Sequence, residues 1–306
     1  MPAVLLDGQV EFRVDDDAAL VVGCDTRFAW RGDWYSWWSA PTLRTSDLAR
    51  GGGDGVVAGS DWIDTHTTTF VCLITADTEA DLLARIDAWK SATARSIDSV
   101  VTVRSAAFGT VRRRVGRFRI PGDVQVDQVS FLRDSDASEQ SCGLRAVGST
   151  QFVSLDGLTY GDDLNTWVTT RVVSGSGFTV PFTVPFTLGA STSGTLDAVN
   201  NGNAPAPWTA RLDGPVAFPT ITHLVSGRRL SLAFEANGGV ELGVSDYLLI
   251  DSATRSVLLN GAADRRTQLT VDSDWWQREP GSNPFQFDAD SGTGTLTVSG
   301  YDGYHS

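Results

Sequence analysis

Acid–base, nucleophilic or metal chemistry would need histidines, cysteines or a marked pair of carboxylates, and this 306-residue chain is poor in all three. It has three histidines and three cysteines. His66 lies beside a threonine-rich stretch, His223 sits inside TITHLV and His305 is penultimate, so there is no H-x-x-x-H pair. Cys24, Cys72 and Cys142 lack C-x-x-C spacing, which removes the common zinc patterns and points to reduced, buried thiols. A triad of His223 with a serine and an aspartate stays open, since triads assemble in space, but no G-x-S-x-G elbow accompanies it. Nothing marks one pair among 37 acidic residues as a glycosidase couple. The expectation is no catalytic, cofactor-binding or metal-ligating residue, and no cofactor.

Three local clusters invite other chemistry. Asp15, Asp16 and Asp17 lack the glycine turn and alternating ligands of a calcium loop and read as a solvated turn. GGGDG at 51–55 has the glycine density of a phosphate loop, but no Lys-Ser/Thr follows, so it reads as a tight or flexible turn. Arg112, Arg113 and Arg114 are consecutive in a strand-like segment, where neighbours face opposite ways. They therefore make no continuous basic patch and suit acidic neighbours or a partner subunit better than nucleic acid.

The elements that position these residues are mostly strands. TEADLLARIDAWKSAT, 78–93, has a helical period that places Leu82, Leu83, Ile86 and Trp89 on one face, with Thr78 as N-cap and Asp81 in capping-box position. TTTFVCLIT (67–75) precedes it, and SVVTVRSAAF (99–108) and TVRRRVGRFRI (110–120) follow. RRLSLAFE (228–235), DYLLID, RSVLLN and GTLTVSGY then read as short strands of an antiparallel sandwich. LDGLTYGDDLN interrupts the pattern near 155–165. In FTVPFTVPFTL (178–188), Pro181 and Pro185 each remove a ladder donor, which suits an edge strand or linker. The expected layout is an α+β domain over 1–160, a linker over 161–177 and an all-β domain over 178–306.

The net charge is −13, with 16 basic against 21 acidic residues in 1–150 and 8 against 16 in the remainder. Such a chain disfavours nonspecific nucleic-acid binding. Its start, MPAVLLDGQVEFRVDDD, has no basic n-region and reads as no signal peptide, and no apolar run is long enough to span a membrane.

DSDWWQREPGSNPFQF, 272–287, raises a different question: adjacent tryptophans in a strand cannot both enter a one-sided core. Pro280-Gly281 reads as a turn and Asn283-Pro284 as a restart in extended conformation, giving strand, turn, strand with Phe285 and Phe287 on one face. One of Trp275 and Trp276 then fills the core. The other covers a loop or lies between the domains, with a sugar-stacking platform or a partner contact as the alternatives. NNGN at 200–203 reads as a turn in which Asn201 and Gly202 tolerate positive φ, followed by extended APAP.

In order, FTVPFTVPFTL, NNGNAPAPWTARLDG, SGRRLSLAF, DYLLIDSATRSVLLNG, DSDWWQREPGSNPFQF and GTLTVSGYDGY resemble the C-terminal domain of siphophage distal tail proteins. LRTSDLARGGGDGVVAGSDWIDTHTTTFVCLI and the helix at 78–93 are similar to that family's N-terminal belt domain. QREPG departs from the pattern, since many relatives carry an apolar residue before Pro-Gly, and it would expose Arg278 or Glu279.

The resemblance implies a mainly β fold: an N-terminal α+β belt domain, a split β-barrel with one helix, followed by a galectin-like antiparallel β-sandwich. It implies a structural, non-enzymatic baseplate hub of a long non-contractile tail, with a motif at Asn201, Gly202, Trp275, Trp276, Pro280, Gly281 and Asn283. The implied partners are five further copies in a homo-hexamer, the tail tube protein, a tail-tip hub protein and receptor-binding proteins. DNA would only pass through the channel, and no membrane is involved. The implied location is the virion tail, assembled in the host cytoplasm. The competing reading is a carbohydrate-binding β-sandwich contacting the host envelope.

Overall fold

The computed structural model describes residues 9–14, 20–23, 26–30, 35–52, 54–94, 99–105, 110–127, 144–171, 194–233 and 238–305. Asp15 to Asp17, Cys24, Cys142 and the FTVPFTVPFTL segment lie outside them. The chain divides into two compact units, Met1–Asp162 with His305–Ser306, and Asp163–Tyr304.

The first unit begins with β1 (Val10–Val14), β2 (Leu20–Val22), β3 (Phe28–Trp30), β4 (Leu43–Thr45), β5 (Leu48–Ala49), β6 (Val56–Val57), β7 (Asp61–Ile63) and β8 (His66–Ala76). Helix α1 (Glu79–Ala92) follows, then β9 (Ser99–Ser105), β10 (Thr110–Asp127), β11 (Leu144–Ser154) and β12 (Thr159–Tyr160). The main sheet runs β2-β1-β9-β10-β11-β8-β3, antiparallel between every neighbouring pair, with β12 also beside β10. Its two end strands are consecutive in the chain. The turn between them is tied by Gly23 N–H donating to the Phe28 carbonyl at 2.7 Å, so the sheet curls until its ends are neighbours.

β8 shows why the threonine-rich stretch is a strand: from His66 to Ala76 alternate residues are buried, placing Phe70, Cys72 and Ile74 in the core. Burial pushes the Cys72 thiol up to about 12, so it is an inert core residue. β10 continues past the expected end at 120, through Pro121-Gly122 to Asp127. Two register shifts against β11, between Phe118 and Asp123, absorb the proline that cannot donate to the ladder.

Helix α1 starts as the capping pattern requires: Thr78 has extended backbone and its hydroxyl accepts from Asp81 N–H at 3.2 Å. Leu82, Ile86 and Trp89 are buried, but Leu83 is 55% exposed. The expected four-residue face is a narrower stripe at i, i+4 and i+7, because Leu83 is rotated by about 100° from Leu82. Trp89 lies over Gly148 of β11, where a Cβ would come 2.7 Å from the indole nitrogen. β4 pairs with β7, and β5 with β6, forming a separate two-stranded arm, with Gly51, Gly52 and Gly55 between β5 and β6.

The second unit comprises β13 (Asn165–Thr170), β14 (Thr195–Asp197), β15 (Thr209–Asp213), β16 (Val216–Ala217), β17 (Thr220–His223), β18 (Arg229–Ser231) and β19 (Glu241–Leu242). It continues with β20 (Tyr247–Asp251), β21 (Ser256–Leu259), β22 (Ala263–Asp264), β23 (Pro284–Asp288), β24 (Ser291–Gly292) and β25 (Thr295–Gly300). One sheet runs β13-β25-β15-β20-β21-β22, another β14-β23-β17-β18, and a small third β19-β16-β24. Leu212, Ile250 and Val298 from the first meet Ile221, Phe285 and Phe287 from the second in one core, which makes the unit an antiparallel sandwich.

Two expectations need correcting here. Residues 165–170, inside the segment expected to be a linker, form β13 and pair along their whole length with β25; NTWVTT is rich in strand-favouring side chains, which the preceding Gly-Asp-Asp turn overshadows. In 228–235 the strand ends at Ser231, and Ser231 is buried together with Leu230 and Leu232. Alternation fails there because Ser231 is held by Thr220 Oγ1 at 2.8 Å and by Ser273 Oγ, which accepts from its N–H at 3.0 Å. Phe234 and Glu235 lie outside the described residues.

Gly148→Ala should destabilise the first unit by about 1–3 kcal/mol, because the new methyl overlaps a rigid indole. Leu83→Ser, on the exposed side of the same helix, should change stability by less than about 0.5 kcal/mol. Thermal melts of the two variants give the comparison, and equal losses would contradict the packing described.

Candidate functional site

The residues singled out in the second unit come together around Arg278, one of the two side chains, with Glu279, of which one or the other was expected to be exposed. Arg278 is fully buried. Its guanidinium donates to three backbone carbonyls, Tyr301 at 2.6 Å, Val199 at 3.2 Å and Pro207 at 3.4 Å, and lies 5.1 Å over the Trp167 ring. Burial lowers its pKa to about 10, opposed by Asp302, and it stays charged at neutral pH. Glu279 is exposed. Of the two, Glu279 faces outward and Arg278 inward: the long aliphatic stem of Arg278 is buried and its planar head finds carbonyls that a methyl group could not satisfy.

Asn200, which had no assigned part beyond the turn, closes the other side. Its side-chain amide donates to Ala204 O at 2.9 Å and Arg278 O at 3.0 Å, while its Oδ1 accepts from the N–H groups of Gly202 and Gly303, each at 3.1 Å. The backbones of Asn200 and Gly281 exchange two hydrogen bonds, of 2.8 and 2.9 Å, as do those of Ala206 and Arg278. NNGN is a turn as expected, yet Gly202 is absent from the residues with positive φ. Glycine is needed there for closeness: a Cβ would lie 1.7 Å from the Gly303 carbonyl oxygen. Asn201 reaches the half-buried Asp302 through its N–H at 3.0 Å and its amide at 3.2 Å.

Pro280-Gly281 is the expected turn, with Gly281 at φ 97°. Asn283 does more than restart the chain. Fully buried, it accepts from Glu279 N–H at 2.9 Å and donates to the carbonyls of Glu279 at 2.7 Å and Gly281 at 2.9 Å, so it internally braces the turn. Its own N–H donates to Asp197 Oδ1 at 2.7 Å.

The tryptophan question resolves by burial. Trp276 is 4% exposed and packs against Trp208, Phe285 and His223, with ring centroids 4.9, 5.4 and 5.8 Å away. Trp208 Nε1 donates to the Trp276 carbonyl at 3.0 Å. Trp275 is half-buried against the edge of the same core, and its carbonyl accepts from Arg228 at 3.2 Å. The two do not lie in a regular strand. They occupy extended chain joined to its neighbours by isolated bridges, because the buried Arg278 and Asn200 replace a continuous ladder. A sugar platform needs an exposed ring face, which Trp276 does not have.

Among the described residues neither His66 nor His223 hydrogen-bonds a carboxylate. His223 Nδ1 faces Ser226 Oγ at 2.8 Å, and burial lowers its pKa. In the first unit, the Ser39 hydroxyl donates to the Ser36 carbonyl at 2.8 Å; His66 Nε2, 3.1 Å from that hydroxyl oxygen, then donates to it and is no base for it. His66 Nδ1 faces Thr68 Oγ1 at 3.4 Å. Burial and then the nearby Arg114 lower the His66 pKa to about 4. Arg114 is buried, donates to the Trp37 carbonyl at 2.8 Å and lies 5.0 Å over the Trp37 ring, while Arg112 and Arg113 are half-buried. Tyr160 OH donates to Asp156 at 2.5 Å, and burial raises its pKa. Among the described residues no cluster of three or more His, Cys, Asp or Glu could hold a metal ion. What the site does chemically is to fix three loops through buried hydrogen bonds.

Residues 201–301 match the family described as Siphovirus-type tail component, C-terminal domain, the segment that carries most of the ordered pieces of the sequence resemblance. Comparison with curated proteins gives no match. Among solved structures, SPP1 Dit (gp 19.1), described as a paradigm of the hub adsorption apparatus in Gram-positive-infecting phages, is similar at 15% identity and TM-score 0.51, over 94% of this chain and 93% of that one. The phage P2 baseplate in its activated conformation with Ca is similar at 9% identity and TM-score 0.52, over 94% of this chain and 97% of that one. The phage p2 baseplate with Sr gives 9% identity and TM-score 0.50, with the same coverages. The shared feature is the mainly β, antiparallel fold.

Removing the buried arginine should be severe: Arg278→Ala leaves its carbonyl partners unpaired and should cost the second unit about 3–5 kcal/mol. Arg278→Lys should recover less than half, since one ammonium cannot reach three separated carbonyls in a plane. Trp276→Ala should cost about 3–5 kcal/mol and Trp275→Ala distinctly less. Urea titrations order the four variants, and full stability in Arg278→Lys would contradict the bonding geometry.

His66 should make the first unit acid-sensitive. Its folded pKa, about 4, lies below the ordinary 6.5, so the unfolded chain binds the proton first. Stability from this residue is complete above pH 6.5, declines as pH falls to about 4 and levels off below that, a total on the order of 3 kcal/mol. Comparing parent and His66→Gln by denaturant titration across this window isolates the effect. The stability gap should narrow as pH falls, and a constant gap would disprove it.

Proposed function

We propose that this chain is a non-enzymatic hub component of a long non-contractile phage tail. The observation that carries the reading is the match of residues 201–301 to the siphovirus-type tail component domain, because that span holds Arg278, Asn283 and the aromatic cluster of Trp208, Trp276 and Phe285 beneath them. A latch whose buried Arg278, Asn200 and Asn283 side chains all bond to backbone suits a part that transmits load and keeps its shape.

In this reading the first unit is the belt domain that closes a homo-hexameric ring around the DNA channel, and the second is a galectin-like sandwich. The ring joins the tail tube protein to the tail-tip hub protein and to receptor-binding proteins, in the virion tail after assembly in the host cytoplasm. The chain's charge of −13 supports a conduit role, since an acidic wall does not retain DNA in transit.

The reading predicts a location as well as a shape. Gold-labelled antibody raised against the second unit should decorate the distal end of purified tails and leave the capsid and tube unlabelled. Label along the tube, or none on intact virions, would refute it.

A further inference from the structure

Of the three Asn-Gly steps in the sequence, Asn201-Gly202 and Asn260-Gly261 lie wholly among the described residues, and their glycines are held in opposite ways. Such a step carries a reaction of its own: the glycine nitrogen attacks the asparagine side-chain carbonyl, with no Cβ to obstruct the approach. The N–Cγ bond forms and the Cγ–Nδ2 bond breaks. Ammonia leaves with the proton lost from the glycine nitrogen, and water then opens the cyclic imide at either carbonyl to give aspartate or isoaspartate.

At Asn201 the latch opposes the attack. Gly202 N–H donates to Asn200 Oδ1 at 3.1 Å, and Gly202 crosses Gly303 so closely that a Cβ would lie 1.7 Å from its carbonyl oxygen. Attack by this nitrogen would first break that bond and leave the buried Asn200 short of a partner. At Asn260 the corresponding glycine N–H has no acceptor among the described residues. Asn260 and Gly261 are the central residues of the β21–β22 turn, at φ 53° and 72°, closed by Ala262 N–H donating to the Leu259 carbonyl at 3.1 Å. β22 is two exposed residues at the end of its sheet, so little packing resists a swing of the turn that brings Gly261 N to Asn260 Cγ. Asn260 Oδ1 also accepts from Tyr247 N–H at 3.0 Å. That oxygen gathers negative charge as the ring closes, so the donor favours the attack.

We propose that Asn260-Gly261 is a site of spontaneous deamidation in the folded chain, and that the latch protects Asn201-Gly202 from the same reaction. The product matters because of what Asn260 holds. Its Nδ2 donates to Asp246 Oδ1 at 2.9 Å while Asp246 Oδ2 accepts from Gly243 N–H at 3.0 Å, so the asparagine ties its own turn to the one before β20. The Asn260 amide first, and the Gly243 N–H second, hold the Asp246 carboxyl below the usual carboxylate range. Aspartate at position 260 replaces the donor with a second carboxylate facing the first, and isoaspartate also lengthens the turn by a backbone methylene. Either product breaks the tie.

Full-length protein kept in mildly alkaline buffer and then digested for mass spectrometry reads both sites at once, with fragmentation separating aspartate from isoaspartate. In the folded protein position 260 should convert on the order of tenfold faster than position 201, where attack forfeits a buried hydrogen bond. In concentrated urea, where neither glycine is held, the two rates should agree within about twofold. Faster or equal conversion at 201 in the folded protein, or a ratio of the two rates that urea leaves unchanged, would overturn the proposal. The variant Asn260→Asp checks the consequence: the Asp246 carboxyl, followed by NMR, should titrate at higher pH than in the parent. An unmoved titration would show that deamidation leaves the tie intact and would overturn that part of the inference.

Discussion

A guanidinium withdrawn from water costs several kcal/mol unless its donors are taken up nearby, and that cost organises the second unit around Arg278. The acceptors come from the backbone at Val199, Pro207 and Tyr301, all far from Arg278 in sequence. Because carbonyls belong to the chain path and not to any side chain, satisfying Arg278 amounts to specifying where three loops run. Asn200 and Asn283 then absorb the remaining unpaired groups of those loops, and the Trp208–Trp276–Phe285 cluster fills the space below. Hydrogen bonding sets the geometry here, and the aromatic burial supplies most of the stabilisation.

The first unit uses related means. Arg114 also lies over a tryptophan and donates to a backbone carbonyl, at Trp37, and the helix docks by placing Trp89 over a glycine. Arginine's flat, apolar faces tolerate an aromatic neighbour where a hydrated ammonium would not. The near absence of lysine, one residue among 24 cations, is compatible with that usage at both buried positions.

How much of this was legible in the sequence follows from whether a feature is local. The helix, its Thr78 cap, the alternation of β8 and β25 and the paired phenylalanines of β23 are written in short-range periodicity and were visible. The Pro280-Gly281 turn was visible for the same reason. Arg278 was not, because its partners are carbonyls 71 and 79 residues upstream and 23 downstream, and carbonyls leave no mark on residue identity. Gly202 was found for a different reason than the one that holds: a tight turn and a close crossing both ask for glycine, and only coordinates separate them. Leu83 and Ser231 failed because a periodic pattern states the average face, while burial at its margin depends on what is packed there. The resemblance supplied what periodicity could not, the order of the pieces across the second half.

The pairing of β13 with β25 also bears on how the protein is made. The first strand of the second unit is matched residue for residue with β25, near the unit's far end, Asn165 opposite Gly300 and Thr170 opposite Thr295. A ribosome adding roughly 5–20 residues per second leaves β13 without its neighbour for about 6–26 s while the intervening chain emerges. Throughout that interval the larger sheet has an open edge at β15, whose other neighbour is β20. The sandwich therefore closes after synthesis of the unit and not during it, and crowded copies on one message have time to meet before their sheets are complete.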